Sequence, residues 1–114
     1  MYKKWPEMTA ELSALFGEVR KGSPDTAKGF AALAKAASDD GVITFKFQVL
    51  LALENGISVR CEGCIAFHAK AAVSRQEVIE TIAMSVYMGG GPSFTYGSQA
   101  LEAFDQFHNA AKAA

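Results

Sequence analysis

The segment RCEGCIAFHAKAA, residues 60–72, contains both cysteines of the chain and one of its two histidines. Consecutive residues of an α-helix are about 100° apart, which places Cys64 about 60° and His68 about 20° from Cys61. All three side chains then share one helix face, with one turn between successive members. A disulfide can close between neighbouring turns with modest local adjustment, and the imidazole can take or return a thiol proton.

The start of such a helix favours a reactive thiolate. Unpaired backbone N–H groups and partial positive charge gather at a helix N-terminus, and both stabilise the anionic form of a thiol. Arg60 is placed to assist this effect and Glu62 to oppose it, while Gly63 keeps bulk away from the sulfurs. The pattern indicates a redox-active dithiol with a built-in acid and base.

Three other interpretations of this segment stay open. The CxxC pair can be incidental, and His68 can be a core histidine hydrogen-bonded to the backbone. Cys61, Cys64 and His68 can also supply three zinc ligands, whereas closed structural zinc sites use four. Structural sites usually draw a second ligand pair from elsewhere, and the sequence has no second CxxC and no HxxxH.

Composition sets the background for this chemistry. The chain has 114 residues, half of them apolar, and a net charge of −1. We expect a single domain spanning residues 1–114, with enough apolar surface to suggest subunit contacts. Nothing resembles the basic stripe of a nucleic-acid-binding protein. No signal peptide and no membrane span is recognisable, so we expect a soluble, cytoplasmic protein whose close cysteines are catalytic or metal-binding.

The elements that must position the cysteines are helices. Sustained apolar alternation is nearly absent, whereas helical periodicity and helix stops divide the chain into about six helices, which predicts an all-α fold. The expected starts are Pro6, Ser23 with Pro24, Thr44, the cysteine segment, a Ser74–Glu77 capping box, and Ser93, with stops at Gly22, 38–41 and 89–92. The cysteine pair is expected at the N-terminal end of a central helix. The third helix is apolar almost all round, so it is expected in the core or against another subunit.

At this point the residues resemble a known family. RCEGCIAFHAKAA, followed by a capped helix and then MGGGPSFTYGSQALEAF, is similar to the carboxymuconolactone decarboxylase family, and most similar to its thiol-bearing branch resembling alkylhydroperoxidase D. The similarity covers roughly residues 41–107. It implies an alkylhydroperoxidase D-like helical fold and assembly of the subunits as trimers or hexamers.

The resemblance also implies roles for the site residues. Cys64 would attack a hydroperoxide and become a sulfenic acid, and Cys61 would donate a proton and then resolve it to a disulfide. His68 would relay protons. The protein would need no bound metal or cofactor, but an external dithiol, such as a lipoyl carrier or a thioredoxin-like protein, would have to reduce the disulfide.

One position departs from the family pattern. The proton relay usually includes a glutamate twelve residues before the first cysteine, and that position is Val49 here. Glu54 is the nearest upstream carboxylate in the same helix, in an otherwise apolar run where burial without a partner is costly. We predict that Glu54 substitutes in the relay, perturbed by burial. The alternative is that Glu54 pairs with a basic residue or faces solvent at an interface.

Two other functions compete with the peroxidase or disulfide reductase. A lactone decarboxylase needs acid and base groups and an anion-binding pocket rather than a dithiol, and no arginine cluster is visible in the sequence. A non-enzymatic oligomer that senses redox state through its disulfide is compatible with the missing glutamate. Turnover of peroxide with a recycling dithiol distinguishes the enzyme from the sensor.

Overall fold

The computed structural model describes the backbone of residues 1–113 and the side chains of residues 1–109. Every regular element in this part of the chain is an α-helix, which confirms the predicted all-α class. The helices are α1 (Trp5–Gly22), α2 (Pro24–Ser38), α3 (Phe45–Ser58), α4 (Glu62–Ala71), α5 (Arg75–Gly89) and α6 (Gly91–Ala113).

The helix after the cysteines lies at the centre of the packing. Helix α4 contacts α1, α3 and α6, and its side chains Ile65, Ala66 and Ala69 have no exposed surface. The core around it comprises Trp5, Leu53, Ile57, Ile65, Ala66, Ala69, Ala72, Val78, Ala100, Ala103 and Phe104. Burial on this scale fixes the orientation of α4 and therefore of the thiol-bearing end.

The start of α3 is capped differently from the prediction. Thr44 occupies the N-cap position, but its side chain makes no capping hydrogen bond. The carboxylate of Asp40 takes that role, since its Oδ1 accepts the backbone N–H of Phe45 at 2.6 Å. The loop between α2 and α3 therefore folds back onto the helix start. Thr44 is at the predicted N-cap position, but Asp40 supplies the capping hydrogen bond.

The turn between α5 and α6 is a single residue, Gly90, with φ 68°. Glycine accepts this left-handed backbone without the strain of a side chain. Helix α6 begins at Gly91, so Ser93 lies inside its first turn and is not the cap that we predicted. Gly89 permits the tight crossing, because a Cβ there would lie 2.0 Å from Ser93 Oγ.

The predicted cap of α5 is present. Ser74 Oγ accepts the backbone N–H of Glu77 at 3.2 Å, which satisfies one unpaired donor of the helix start. The reciprocal contact runs between side chains, since Ser74 Oγ donates to Glu77 Oε1 at 2.8 Å. Lys46 of α3 pairs with the other carboxylate oxygen of Glu77 at 2.9 Å, which links the starts of two helices.

The N-terminal segment is tied to α6 through Glu102. Its carboxylate accepts the backbone N–H groups of Tyr2 and Lys3 at 2.6 and 2.8 Å and the indole N–H of Trp5 at 2.9 Å. Burial by itself would raise the pKa of Glu102, but these donors outweigh it and hold the pKa below its ordinary value. Trp5 is fully buried in the core of its own chain.

Large apolar side chains remain exposed on α2 and α3. Helix α2 has no buried side chain in the described structure, and Phe30 is 70% exposed. One face of α3 is buried, but Phe45, Phe47 and Leu51 on the rest of the helix are about half exposed. The apolar character of α3 therefore exceeds what the core of one chain covers. No helix among the described residues is long and apolar enough to cross a membrane.

Candidate functional site

Cys61 is the N-cap of α4, so the cysteine pair lies at the N-terminal end of a central helix, as predicted. Its Sγ accepts the backbone N–H of Cys64 at 3.2 Å, a bond in which a sulfur takes the place of the usual cap oxygen. Both cysteines are reduced and partly buried. The helix end thus directs an unpaired N–H group and its partial positive charge at the sulfur of Cys61.

The chain enters this cap through a left-handed residue. Arg60 has φ 60°, and it is the one residue other than glycine with a positive φ in the described chain. After it, the backbone N–H of Cys61 donates to the carbonyl of Gly56 at 2.9 Å. A Cβ on Gly56 would lie 3.0 Å from the Cβ of Cys64, so the glycine lets the end of α3 approach the second thiol.

Cys64 is held in its protonated form. Burial is the largest cause that raises its pKa from 9.0 to about 11, followed by a hydrogen bond to Cys61 and the charge of Cys61. Cys64 therefore carries its proton at neutral pH, and it can act as a nucleophile only if a nearby group removes that proton. The sulfur of Cys61 contacts Cys64 and accepts a hydrogen bond at the N-terminal end of the helix.

His68 lies one turn beyond Cys64 and is about half buried. Burial lowers its pKa from 6.5, so the imidazole is uncharged at neutral pH and can accept a proton. Within residues 1–109, neither ring nitrogen has a hydrogen-bond partner. His68 faces a cavity of about 630 Å³ between α2, α3 and α4.

The charges beside the thiols are balanced by the N-terminal segment. Glu62 follows Cys61 directly, and a free carboxylate there would disfavour a thiolate. Lys3 forms an ion pair with Glu62 and also lies 5.5 Å from the centroid of the Trp5 ring. The sequence suggested that Glu62 opposes a thiolate. Lys3, 59 positions earlier in the chain, partly neutralises the charge of Glu62 and so weakens this effect.

Glu54 lies on a different side of α3 from this cavity. It lines a groove of about 370 Å³ against α5, and its Oε1 accepts the hydroxyl of Ser58 at 2.9 Å. Val49, the position of the family's relay glutamate, lines the cavity with His68. The structure thus brings Cys61, Cys64 and His68 to one helix and does not bring Glu54 to the histidine cavity.

Gln48 is a polar residue of this cavity that the sequence analysis missed. Its Nε2 donates to the carbonyls of Asp39 and Ile43 at 3.0 and 2.9 Å, which fixes the amide in one orientation. Its Oε1 is buried without a donor among the described residues. The available signal was an amide side chain next to Val49 in the mainly apolar run FKFQVLLAL.

Comparison with known proteins identifies the family. The model of the carboxymuconolactone decarboxylase family matches residues 24–103, well over half of the chain. This chain belongs to the carboxymuconolactone decarboxylase family. A crystal structure of an apo carboxymuconolactone decarboxylase family protein from Legionella pneumophila is 38% identical, covers 90% of this chain and 96% of its own, and superposes with a TM-score of 0.88.

Two further relatives support membership of the family. An uncharacterized protein of Haemophilus influenzae is 35% identical over 108 residues, which are 91% of this chain and 96% of the relative. An uncharacterized protein of Cupriavidus necator is 31% identical over 99 residues, which are 83% of this chain and 88% of the relative. These names assign no activity, so the chemistry of this family member has to be argued from its own residues.

Two further ring side chains lie near the core of this carboxymuconolactone decarboxylase family chain. Phe67 is partly buried, borders the cavity beside His68 and packs on Phe16 of α1. The ring of His108 stacks on that of Phe104, with centroids 3.9 Å apart. Among the described side chains, no three His, Cys, Asp or Glu residues are placed to hold one metal ion.

Proposed function

We propose that this carboxymuconolactone decarboxylase family protein is an antioxidant peroxidase that reduces organic hydroperoxides or hydrogen peroxide with its Cys61–Cys64 pair. The observation that carries the proposal is the cap of α4, where Cys61 Sγ accepts the Cys64 N–H and both thiols are reduced. Two thiols one turn apart, with a neutral imidazole one turn further on, are the groups that a two-electron reduction of an O–O bond requires.

The reaction proceeds in two steps on the protein. The Cys64 thiolate attacks the terminal oxygen of the hydroperoxide, the O–O bond breaks, and the alkoxide leaves with a proton as the alcohol. Cys64 is then a sulfenic acid. The sulfur of Cys61 attacks the sulfur of Cys64, an S–S bond forms and water leaves. One hydroperoxide and two thiols thus yield one alcohol, one water and one disulfide.

Proton transfer precedes the first step. Cys64 is protonated at neutral pH because burial raises its pKa to about 11. His68, neutral because burial lowers its pKa, first takes the proton of the Cys61 thiol, so that the Cys61 sulfur can accept the proton of Cys64. Cys61 then gives this proton to the leaving alkoxide and attacks the sulfenic acid as a thiolate. His68 returns its proton to the hydroxide that leaves the sulfenic acid, which departs as water.

Regeneration requires a dithiol from outside the chain. A lipoyl carrier or a thioredoxin-like protein attacks the Cys61–Cys64 disulfide, forms a mixed disulfide and leaves oxidised, which returns both thiols. The cycle needs no metal and no bound cofactor. A reducing compartment such as the cytoplasm suits it, because there the pair starts as free thiols.

The subunits assemble as trimers or hexamers in this proposal. Its support is the exposed apolar surface of α2 and α3, on which Phe30, Phe45 and Phe47 are at least half exposed. Monomeric proteins rarely leave contiguous apolar patches of large size in water. Assembly would cover these faces.

Glu54 keeps its predicted role in the relay in this proposal, and that role has a test of its own. In the single chain its carboxylate bonds Ser58 and lies in the α3–α5 groove. Replacement by glutamine removes the titratable group and keeps the hydrogen bond to Ser58. A slower peroxide reaction in Glu54→Gln supports the relay role, and an unchanged rate removes Glu54 from it.

A redox-sensing oligomer is the second candidate, and the pKa of Cys64 favours it. A thiol with a pKa of about 11 reacts slowly unless a base deprotonates it, which suits a sensor that responds only to sustained oxidation. The His68 cavity does not favour a lactone decarboxylase. No lysine or arginine lines the His68 cavity in the described chain, so a carboxylate substrate would find no counter-charge there.

Turnover distinguishes these functions. We expect the reduced protein to consume cumene hydroperoxide catalytically with dihydrolipoamide as the reductant. Cys64→Ser should abolish turnover, and Cys61→Ser should stop after one peroxide because no disulfide can form. Oxidation of the pair without repeated turnover, even with thioredoxin-like donors, would favour the sensor over the enzyme.

A further inference from the structure

Helix α2 leaves its apolar side chains exposed in the single chain. None of its 15 residues is buried, and the side chains of Phe30 and Leu33 are 70% and 63% exposed. An isolated helix of this length is only marginally stable in water, because helices in proteins are stabilised mostly by the packing of an apolar face. The apolar side chains of α2 therefore need cover from outside their own chain.

Helix α1 extends this exposed surface and adds one charge to it. Phe16, Val19 and Arg20 of α1 and Phe30 of α2 border a groove of about 600 Å³ between the two helices. We call these four residues the α1–α2 face. Arg20 is the one charged side chain that lines this groove in the described chain, and it forms no ion pair with any described side chain. The α1–α2 face is thus apolar and positively charged.

The groove between α3 and α5 is a second exposed apolar surface, and its charge is opposite. It has a volume of about 370 Å³, and three large side chains that border it are at least half exposed: Phe47, Leu51 and Met84. Its lining also includes three glutamates and, among the described residues, no lysine or arginine. The α3–α5 groove is thus apolar and negatively charged.

Two of the three glutamates in this groove have no cation of their own. Glu77 pairs with Lys46, whereas Glu54 and Glu80 bond only a neutral hydroxyl and a neutral amide within the described chain. A carboxylate that an apolar contact covers needs a positive partner, because burying an unpaired charge is costly. A surface that covers this groove should therefore be apolar and carry a cation.

We propose that the α1–α2 face of one subunit binds in the α3–α5 groove of a second copy of this chain, with Arg20 against the carboxylates of the groove. The inference rests on the assembly in the proposed function, and it specifies which surfaces meet. Aromatic residues, methionine and arginine are the types enriched in protein interfaces, and both surfaces are built from them.

Charge also determines how the two copies are arranged. Two α3–α5 grooves in contact would place glutamates against glutamates, and two α1–α2 faces would place one Arg20 against another, which is unfavourable. The contact therefore joins unlike surfaces, head to tail. Repetition of such a contact about an axis closes a ring, of which a trimer is one case.

A mixing experiment tests the contact with two variants, each of which damages one surface. Phe30→Glu brings a carboxylate to the acidic groove, and Met84→Lys brings an ammonium group to Arg20. Both positions are exposed in the single chain, so the fold should persist, which circular dichroism checks. We expect each variant alone to lose the mass of the original assembly in light scattering. An equimolar mixture should regain at least about twofold in mass over either variant, because it contains one intact copy of each surface.

The mixture also distinguishes the possible arrangements. If two α1–α2 faces met each other, Met84→Lys would assemble alone, and if two α3–α5 grooves met, Phe30→Glu would do so. Either result would overturn the proposal. A mixture no heavier than its separate components would overturn it as well.

A second pair of variants changes charge and leaves every apolar side chain in place. Arg20→Glu and Glu80→Arg should each raise the concentration for half-assembly about tenfold in sedimentation, which corresponds to about 1.4 kcal/mol, and their mixture should reverse this change. Glu11→Lys is the control, since Glu11 is exposed and lies about 180° around α1 from Arg20. An equal effect of reversal at Glu11, or none at Arg20 and Glu80, would contradict the proposed pairing.

The outcome is separable from that of the proposed function. Assembly requires no thiol chemistry, so the contact can be present whether or not the thiols react with peroxide. A monomeric original protein would overturn both the assembly and this contact, and it would leave the peroxidase chemistry to its own test. An assembled protein whose variants do not complement each other would overturn this contact alone.

Discussion

The sulfur of Cys61 and the backbone N–H of Cys64 form the contact that gives the two thiols different chemistry. Cys61 receives the N–H at the positive end of α4, whereas partial burial and the neighbouring Cys61 raise the pKa of Cys64. In the proposed reaction, two residues of one type therefore have different roles: Cys61 accepts a proton and Cys64 attacks the peroxide. The difference comes from position in the helix, since Cys61 precedes its first turn and Cys64 lies within it.

This division predicts the effect of Cys61→Ser on Cys64. Serine keeps an acceptor for the Cys64 N–H but removes the thiol whose hydrogen bond and charge raise the pKa of Cys64. We expect the pKa of Cys64 to fall below about 11 and to stay above 9.0, because burial is the largest cause and is unchanged. Thiolate absorbance as a function of pH measures it. A pKa that does not move would show that Cys61 has no influence on Cys64.

His68 predicts an acid-dependent loss of stability. Its pKa is lowered by burial, so the unfolded chain binds a proton more readily than the folded chain. The stabilising contribution of the neutral ring is present above the unfolded pKa of about 6.5 and is lost as the pH falls through the lower folded pKa. The NMR titration of His68 should have a midpoint below 6.5, and His68→Gln should flatten the acid side of the stability profile. A midpoint above 6.5 would contradict the buried, neutral ring.

At the residue scale, the sequence was sufficient for part of the site. Helical spacing alone predicted the shared placement of Cys61, Cys64 and His68, because all three depend on one helix. It could not reveal the orientation of Gln48, which depends on the carbonyls of Asp39 and Ile43 in the preceding loop. It also could not reveal Lys3, which reaches Glu62 across 59 residues of chain.

At the scale of the elements, the link between α3 and α4 positions the cap. Arg60 is left-handed, a conformation that disfavours residues other than glycine by about 1–2 kcal/mol. We expect Arg60→Gly to be more stable than Arg60→Ala by about 1 kcal/mol in urea unfolding. In helix α1 the order should reverse, with Arg20→Gly less stable than Arg20→Ala by about 1 kcal/mol. The same order at both positions would contradict a strained Arg60.

The crossing of α5 and α6 depends on Gly97. A Cβ at this position would lie 2.5 Å from Cγ2 of Ile82, whereas a Cβ at Gly29 of α2 meets nothing within 4 Å. Gly97→Ala should therefore destabilise the fold by about 1–3 kcal/mol, and Gly29→Ala should stabilise it by about 0.5–1 kcal/mol. Thermal unfolding of both variants measures the contrast. A stabilised Gly97→Ala would show that the helices are not in close contact there.

Helix number and type were predictable because periodicity and stop signals are local properties. The capping residues of the helices were harder to predict. Thr44 and Ser93 are good capping residues by type, but Asp40 from the loop caps α3, and the single-residue turn at Gly90 starts α6 earlier. Local sequence offers several capping residues, and the three-dimensional path of the loop determines which of them is used.

At the scale of the whole molecule, exposed apolar surface leads to a prediction about assembly. Phe47 and Leu51 of α3 are about half exposed, as is Met84 of α5, and all three border one groove. We expect a trimer or hexamer in light scattering, and Phe47→Glu should shift it toward smaller species by placing charge in the contact. Glu18→Gln, at an exposed position of α1, should leave the mass unchanged. A monomeric original protein would contradict the assembly.

The composition showed that the chain has many apolar residues, but it could not show which of them remain exposed. A sequence specifies which residues prefer burial, whereas the exposed faces of α2 and α3 emerge only after the core of one chain is complete. The same limit applies to Glu54. Its type suggested a relay role, and only the packing of α3 showed that it lies beside α5 rather than with His68.

The central claim is that the Cys61–Cys64 pair reduces hydroperoxides, and single-turnover mass spectrometry tests it most directly. The reduced protein is mixed with one equivalent of cumene hydroperoxide, alongside Cys61→Ser and Cys64→Ser. We predict rapid loss of two hydrogens in the original protein, a trapped sulfenic acid on Cys64 in Cys61→Ser, and no reaction in Cys64→Ser. Thiols that survive excess peroxide at neutral pH in the original protein would contradict the account.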